Sequence, residues 1–426
     1  MSVARVGLVA GVVLLAVAGL TVPVTPAYAE EGACNEIQED TTDVDEVAMP
    51  SAPLEELRIA EATELLGARG TAAGEGVGVA VVDSGIADIP LTRADGFRNP
   101  EFSRAEGTPY YHGTAVAGLI AGAPRPDGGG PVGIAPAATV HDVRVYDAPE
   151  ESDEALGLTD AGVINGLEWI AANANRVQPR IRIVNVSLAL QQSDALEKVI
   201  GKLAAQDILV VAASGNRPTD EADPVLGDFV GEPRPGEDAA RVVFPAGYES
   251  VVAASTSVPR GEDPLSVIVQ NSATDVAAPT FDGVSYGLTG VSCLLPPEGA
   301  TSWAAAEISG VLALLMSAFP KESAGEILAR LYRTATGPGD VTTNLTGHGV
   351  AQPVEALRRP LTFDDEGVPE TNETNNTVLK ARAPRAEADV LADTRRDAVW
   401  WGLAGGGALV IALLLRPVLA RRRTER

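Results

Sequence analysis

The sequence predicts an α/β domain, a doubly wound parallel sheet with helices on both faces, followed by one C-terminal transmembrane helix. Three observations predict it. Runs such as Val79-Ala80-Val81-Val82 are apolar at every position, as strands buried on both faces must be. These runs alternate with stretches whose apolar residues recur at helical spacing. Glycine is abundant (44 residues) and aromatics are scarce (4%), which suits close packing of helices on a sheet better than a sandwich.

The elements follow in order. Leu57, Ile59, Ala60 and Leu65 mark a short helix, and Gly74, Gly76 and Gly78 lead from it into the first buried strand. Residues 113–121 read as a helix, 139–146 as a strand and 161–173 as a helix carrying Val163, Ile164, Leu167, Trp169 and Ile170. A strand over 181–187, a helix over 195–205 and strands over 208–213 and 251–254 continue the alternation, and a long apolar helix runs from Trp303 to Phe319. Strands alternating with helices specify parallel pairing. Sites in such sheets lie at the carboxyl ends of the strands. Three insertions interrupt the pattern: 124–131 is rich in Gly and Pro, 147–154 is acidic, and 217–240 is long, acidic and rich in proline. Insertions of that kind either shape access to a site or decorate the surface.

Two flanking segments stand outside the fold. Residues 1–29 carry Arg5, an apolar run and Ala27-Tyr28-Ala29, the pattern of a secretory signal with its cleavage site; an uncleaved anchor helix is the alternative. Residues 398–415 contain no charge and reach ~27 Å as a helix, close to the thickness of a bilayer core. Arg421-Arg422-Arg423 follow, which places the C-terminus in the cytoplasm. The expected organisation is a signal peptide (1–29), an N-terminal extension (30–53), a catalytic domain (54–360), a polar stalk (361–397), a transmembrane helix (398–420) and a basic cytoplasmic tail (421–426). As a coil the stalk would span ~30–36 Å. The chain has a formal charge of −26, which excludes nucleic acid as a partner and fits a soluble domain outside the cell. Two cysteines in an exported chain, Cys34 and Cys293, are expected to pair. That bridge would tie the extension to the segment before residue 302.

The chemistry gathers at strand ends and helix starts. Ser302, among small residues at the head of the long helix, lies where free N–H groups favour a developing anion. Asp83 ends the first buried strand and is followed by Ser84-Gly85, a tight turn that fixes the direction of a carboxylate. His112 opens a helix of small residues that permit close backbone approach, unlike His141 within a strand pattern and His348 in a glycine-flanked loop. Asn216 follows a strand in Ser214-Gly215-Asn216, where its side-chain N–H can complete an oxyanion hole. An acid, a base and a nucleophile in the chain order Asp83, His112, Ser302 match one of three unrelated triad orders.

That order is the subtilisin one, and the sequence resembles the subtilisin-like (S8) serine proteases over most of residues 55–357. Gly133-Ile134-Ala135-Pro136, Val163-Ile164-Asn165-Gly166, Val184-Asn185-Val186-Ser187-Leu188, Phe244-Pro245-Ala246 and Val276-Ala277-Ala278-Pro279 carry the likeness beside the triad. The resemblance implies that Ser302 attacks a peptide carbonyl, His112 moves its proton and Asp83 orients the imidazole. It implies an oxyanion hole from Asn216 and the Ser302 N–H, and a substrate cleft lined by Ser187, Leu188, Ala189, Ala213, Ser214 and Gly215. It implies no cofactor, and no loop carries a calcium-ligand pattern, so no metal site is expected.

The layout of signal, extension, protease domain, stalk, membrane helix and basic tail is similar to that of the mycosins. These are membrane-anchored proteases of type VII secretion systems. The likeness implies a protease acting on proteins or peptides outside the membrane, in company with the secretion membrane complex, with an extension that wraps the catalytic domain. The alternative function is a protease-like component that stabilises that complex with little or no turnover. Departures from the family pattern fall at Ala300 (glycine in the family), Ala306 (proline), Thr280 (glycine) and Ala189 (glycine). If position 300 requires φ > 0, alanine there costs on the order of 1 kcal/mol.

Overall fold

The structure, a computed structural model, describes residues 32–42, 46–126, 129–297, 300–337, 341–364 and 392–421. The expected signal peptide, most of the stalk and the last five residues of the tail lie outside the described residues. Two compact units separate at residue 370.

In the larger unit α1 (Ala52–Glu56) and α2 (Ile59–Gly67) precede β1 (Gly78–Asp83), β2 (Thr92–Arg98), α3 (His112–Ala121) and β3 (Thr139–Arg144). Then come α4 (Asp160–Asn173), β4 (Ile181–Val186), α5 (Asp194–Ala204), β5 (Leu209–Ala213), β6 (Val251–Ser257) and β7 (Val276–Pro279). A hairpin of β8 (Val284–Tyr286) and β9 (Ser292–Leu294) leads to α6 (Ala300–Ala318), α7 (Ala324–Thr334) and α8 (Pro353–Arg358).

The seven strands β1 to β7 form one parallel sheet in the order β2-β3-β1-β4-β5-β6-β7. The order reverses about β1, which lies between β3 and β4, so the crevice of the switch point opens beyond the carboxyl ends of β1 and β4. Alternation along β1 divides the core. Val79 and Val81 join α3 and α6 on one face, while Ala80 and Val82 join α4 and α5 on the other. Each valine so buried is worth ~1.5–3 kcal/mol. Helix starts carry the signals their sequences announce: Thr159 accepts from the Gly162 N–H at α4, Ser193 from the Leu196 N–H at α5, and Ser323 with Glu326 forms a capping box at α7.

Sequence reasoning named the elements of the central sheet and missed its margins. β2 reads Thr-Arg-Ala-Asp-Gly-Phe-Arg, without a regular apolar alternation, and its register against β3 breaks between Ala94 and Phe97. An edge strand pairs on one side only, so its pattern is weak. The short β7, β8 and β9 and the helices α7 and α8 were likewise not anticipated.

The extension lies against the larger unit. Cys34 and Cys293 are bonded, joining the extension to β9. Ile37 is buried, the Glu39 carboxylate accepts from the Thr108 N–H at 2.6 Å, and the Val47 N–H donates to the Ser292 carbonyl at 3.2 Å. In the second unit α9 (Ala392–Arg421) presents exposed apolar side chains, Trp400, Trp401 and Leu414 among them. Residues 398–416 are long and apolar enough to cross a membrane. α6 passes the same test of length and composition but is wholly buried, as the core helix of the domain.

Candidate active site

Asp83 is the last residue of β1, held between two neighbouring strands, so its side chain emerges at the switch point. It is 1% exposed. Its Oδ1 accepts from the Ser84 N–H at 2.8 Å and from the Tyr146 hydroxyl at 3.0 Å. His112 opens α3, and its Nδ1 lies 2.9 Å from both Asp83 carboxylate oxygens. A carboxylate only accepts, so Nδ1 carries the proton and Nε2 is left as the basic nitrogen. Gly113 permits the approach: a Cβ there would stand 2.5 Å from the Gly85 carbonyl and 3.0 Å from the Asp83 Cβ.

Ser302 is the third residue of α6, within the first turn, whose N–H groups have no partner inside the helix. It is 7% exposed. Its hydroxyl donates to the Ser187 carbonyl, just beyond β4, at 3.1 Å. No hydrogen bond joins it to His112 among the described residues. The two residues are neighbours through Trp303, whose ring centroid is 5.1 Å from that of His112. Beneath Ser302 a buried polar chain steadies the helix start. Ser187 Oγ lies 2.9 Å from Asn185 Oδ1 and 3.0 Å from the Ser302 carbonyl, and Asn185 Nδ2 donates to Ser309 Oγ at 3.1 Å.

Ala300 raises no backbone difficulty. It takes the helical conformation of α6 and is not among the residues with positive φ, so a glycine is not required there. The expected cost at that position does not arise.

Asn216 follows Gly215, whose φ of +117° turns the chain out of β5. The Asn216 Oδ1 accepts from both the N–H and the hydroxyl of Thr301, each at 2.8 Å. An N–H can meet only an acceptor, which identifies that branch as oxygen. Nδ2 is the other branch, and Asn216 lines the cleft.

The cleft has a volume of about 470 Å³ and is lined by Ser187, Leu188, Ala189, Ala213, Gly215, Asn216, Thr301 and Ser302. Of the residues expected there, Ser214 stands apart. It is buried behind the cleft, and its carbonyl accepts from Asn271 Nδ2 at 2.8 Å. The acidic insertion contributes the opposite wall with Thr219, Asp220 and Asp223, so it borders the cleft rather than merely decorating the surface. Arg217 also faces the cleft, and its guanidinium pairs with the buried Glu237.

Sequence reasoning missed three contributors: Tyr146 and the Ser84 N–H on Asp83, and the Asn185–Ser309 pair under Ser302. Tyr146 occupied the end of a named strand, the same position that singled out Asp83. Its phenol is held well above its ordinary pKa, first by burial and then by the Asp83 charge. Tyr110 is pushed up to about 12 for the same two reasons. Both phenols therefore remain protonated donors across the neutral range. Among the described residues no group of three or more His, Cys, Asp or Glu gathers to hold a metal ion.

Known proteins are similar to this chain. Residues 74–352 match the family model of the subtilase (peptidase S8) family. The chain is 31% identical to mycosin-1 of Mycobacterium tuberculosis over 314 residues, covering 67% of this chain and 69% of that protein. It is 28% identical to subtilisin DY of Bacillus licheniformis, over 63% of this chain and 86% of that one. Among solved structures, the MycP3 protease from the type VII (ESX-3) secretion system superposes with a TM-score of 0.53 at 27% identity, over 76% of this chain and 90% of that one. From the strand-end acid to the helix-borne serine, the chain thus belongs to the subtilase family of serine endopeptidases, and it is of the mycosin type.

Proposed function

We propose that this chain is a membrane-anchored extracytoplasmic endopeptidase that processes proteins of a type VII secretion system, with Asp83, His112 and Ser302 as its triad. The Asp83–His112 pair carries the proposal: both groups are buried, in contact, and arranged so that Nε2 is the free base beside the head of α6. In the reaction Ser302 Oγ attacks the peptide carbonyl while its proton passes to Nε2. Asp83 stabilises the imidazolium. Asn216 Nδ2 and the Ser302 N–H hold the oxyanion, each such donor being worth ~10²–10³-fold in rate. His112 then returns the proton to the leaving amine, and water cleaves the acyl-enzyme by the reverse route. The apolar stretch 398–416 serves as the anchor, with the basic tail in the cytoplasm, and the secretion setting follows that of the mycosin relatives.

The test is labelling of the detergent-solubilised full chain with a fluorophosphonate probe. Labelling that is abolished in Ser302→Ala and strongly reduced in His112→Ala supports the proposal; a wild type that does not label overturns it. The hydrogen bond from Ser302 to Ser187, rather than to His112, favours a second role, in which the domain stabilises the secretion membrane complex with little turnover. Secretion that survives Ser302→Ala but fails on deletion of the chain would establish that role.

A further inference from the structure

The chain has only seven tyrosines and four tryptophans, yet three tyrosines and one tryptophan collect about one imidazole. The Tyr110 ring stacks on His112 at 6.1 Å and 9°. Tyr111 lies edge-on at 6.4 Å, and Trp303 is tilted at 5.1 Å. Tyr146 packs against Tyr110 at 6.3 Å and is the member of this collar whose hydroxyl reaches Asp83.

Asp83 is buried without an Arg or Lys partner among the described residues. Its charge rests on three donors: the Ser84 N–H, the Tyr146 O–H and the His112 Nδ1–H. At this end of β3, Arg144, whose side chain packs on Gly85, and Asp147 bind each other at 2.6 Å. From α6 the site is faced by Ser302 and Trp303, which carry no charge. Among the described residues, the phenol of Tyr110, which stays protonated, and the ring of Tyr111 also pack on the imidazole. In so dry a setting, the sharing of one carboxylate among few donors is felt strongly.

We propose that Tyr146 is a positioning residue of the triad: its hydroxyl fixes the Asp83 carboxylate and moderates the pull of that carboxylate on His112. The proposal rests on the reading of Asp83, His112 and Ser302 as the triad. Ser84 and Tyr146 both bind Oδ1, which leaves Oδ2 for His112 alone and sets the plane in which Nδ1–H must lie. Without the hydroxyl, the same negative charge would be spread over two donors. It would hold the imidazolium more firmly, so that His112 would become neutral, and able to take the serine proton, only at higher pH.

The experiment measures the rate of fluorophosphonate labelling of the full chain in detergent from pH 5 to pH 9. Tyr146→Phe is expected to lower the plateau rate about 3- to 10-fold and to raise the midpoint of the pH–rate curve by about half a unit, a fraction of what one hydrogen bond to a charged group can contribute. Tyr286→Phe removes a phenol hydrogen bond to the Ala123 carbonyl at the far end of α3 and reports the effect of such a loss on stability alone. Replacement of Tyr146 by 3-fluorotyrosine, a stronger donor that preserves the shape, moves the midpoint down and is informative if the phenylalanine variant does not fold. A wild type that labels, with an unchanged midpoint in both Tyr146 variants, overturns the proposal. Absence of labelling in the wild type overturns the triad reading instead.

Discussion

Glu307 lies on α6, five residues beyond Ser302, and is 0% exposed. Neither carboxyl oxygen has a hydrogen-bond partner among the described residues. Burial, and then the nearby Glu56 charge, pushes its pKa well above the usual carboxylate range. The side chain therefore folds as the neutral acid. Below the ordinary unfolded pKa of ~4.3 this imposes no pH-dependent cost. Above it, folding must take up a proton, and stability falls as pH rises toward the folded pKa. Glu307→Met retains approximate volume and removes both the unsatisfied oxygens and the proton uptake. The gain at neutral pH is about 1–3 kcal/mol, the desolvation cost of an unpaired buried polar group. With an unfolding entropy of about 2.1 cal/mol/K per residue, a domain of ~300 residues gains roughly 1–2 °C per kcal/mol, so Tm should rise by about 2–5 °C. The assay is thermal unfolding of wild type and variant at pH 4.5 and pH 8, with the larger gain at pH 8. Asp275, whose pKa burial raises to about 6, titrates in both proteins and cancels in the difference. A variant less stable than wild type at both pH values, or a gain independent of pH, would show that the carboxyl has a partner and would refute the reasoning.

Three further outcomes follow from the geometry. Asn216→Asp keeps an oxygen for Thr301 but replaces the cleft-side N–H donor with a negative oxygen; kcat on a peptide substrate should fall by ~10²–10³-fold with KM little changed, and a fall of less than threefold would remove Asn216 from the oxyanion hole. Reduction of Cys34–Cys293, or the double serine variant, opens a loop of 259 residues and should lower stability by ~2–5 kcal/mol in a denaturant titration; an unchanged midpoint would mean the other contacts of the extension suffice. Asp147 accepts from Ser103, Arg104, Ala105, Leu156 and the buried Arg144. Burial works against its charge, yet the hydrogen bonds prevail and hold its pKa at about 2. Its stabilisation is present above the unfolded value of ~3.9 and is lost as pH falls toward 2, and Asp147→Ala should cost about 3–5 kcal/mol at neutral pH because Arg144 is left buried and unpaired. A loss below 1 kcal/mol, or one equally large at pH 2, would contradict it.

The central strands and their helices were legible because burial on two faces leaves a dense apolar signal at β1, β4 and β5. Asp83, His112 and Ser302 stood out as candidates for a related reason: each stands where such an element begins or ends. What could not be read was the state of each side chain. Nothing local to Ser302 announces that its hydroxyl rests on Ser187, 115 residues earlier in the chain. Tyr146 lies 63 residues from Asp83, and the two meet only because β3 pairs beside β1. The resemblance implied a cleft position for Ser214, but the turn at Gly215 sends consecutive residues to different sides.

Asn216 has two faces with different duties. Its oxygen secures the first turn of the core helix, and the residue lines the cleft. A substitution that removes the oxygen would loosen the helix that organises the domain, whereas aspartate would keep that hold and lose only the N–H. Ser302 carries no comparable burden, since its hydroxyl supports only one bond to a carbonyl. A lineage that kept the scaffold and abandoned proteolysis would lose the serine first, and the asparagine would persist for the helix it holds.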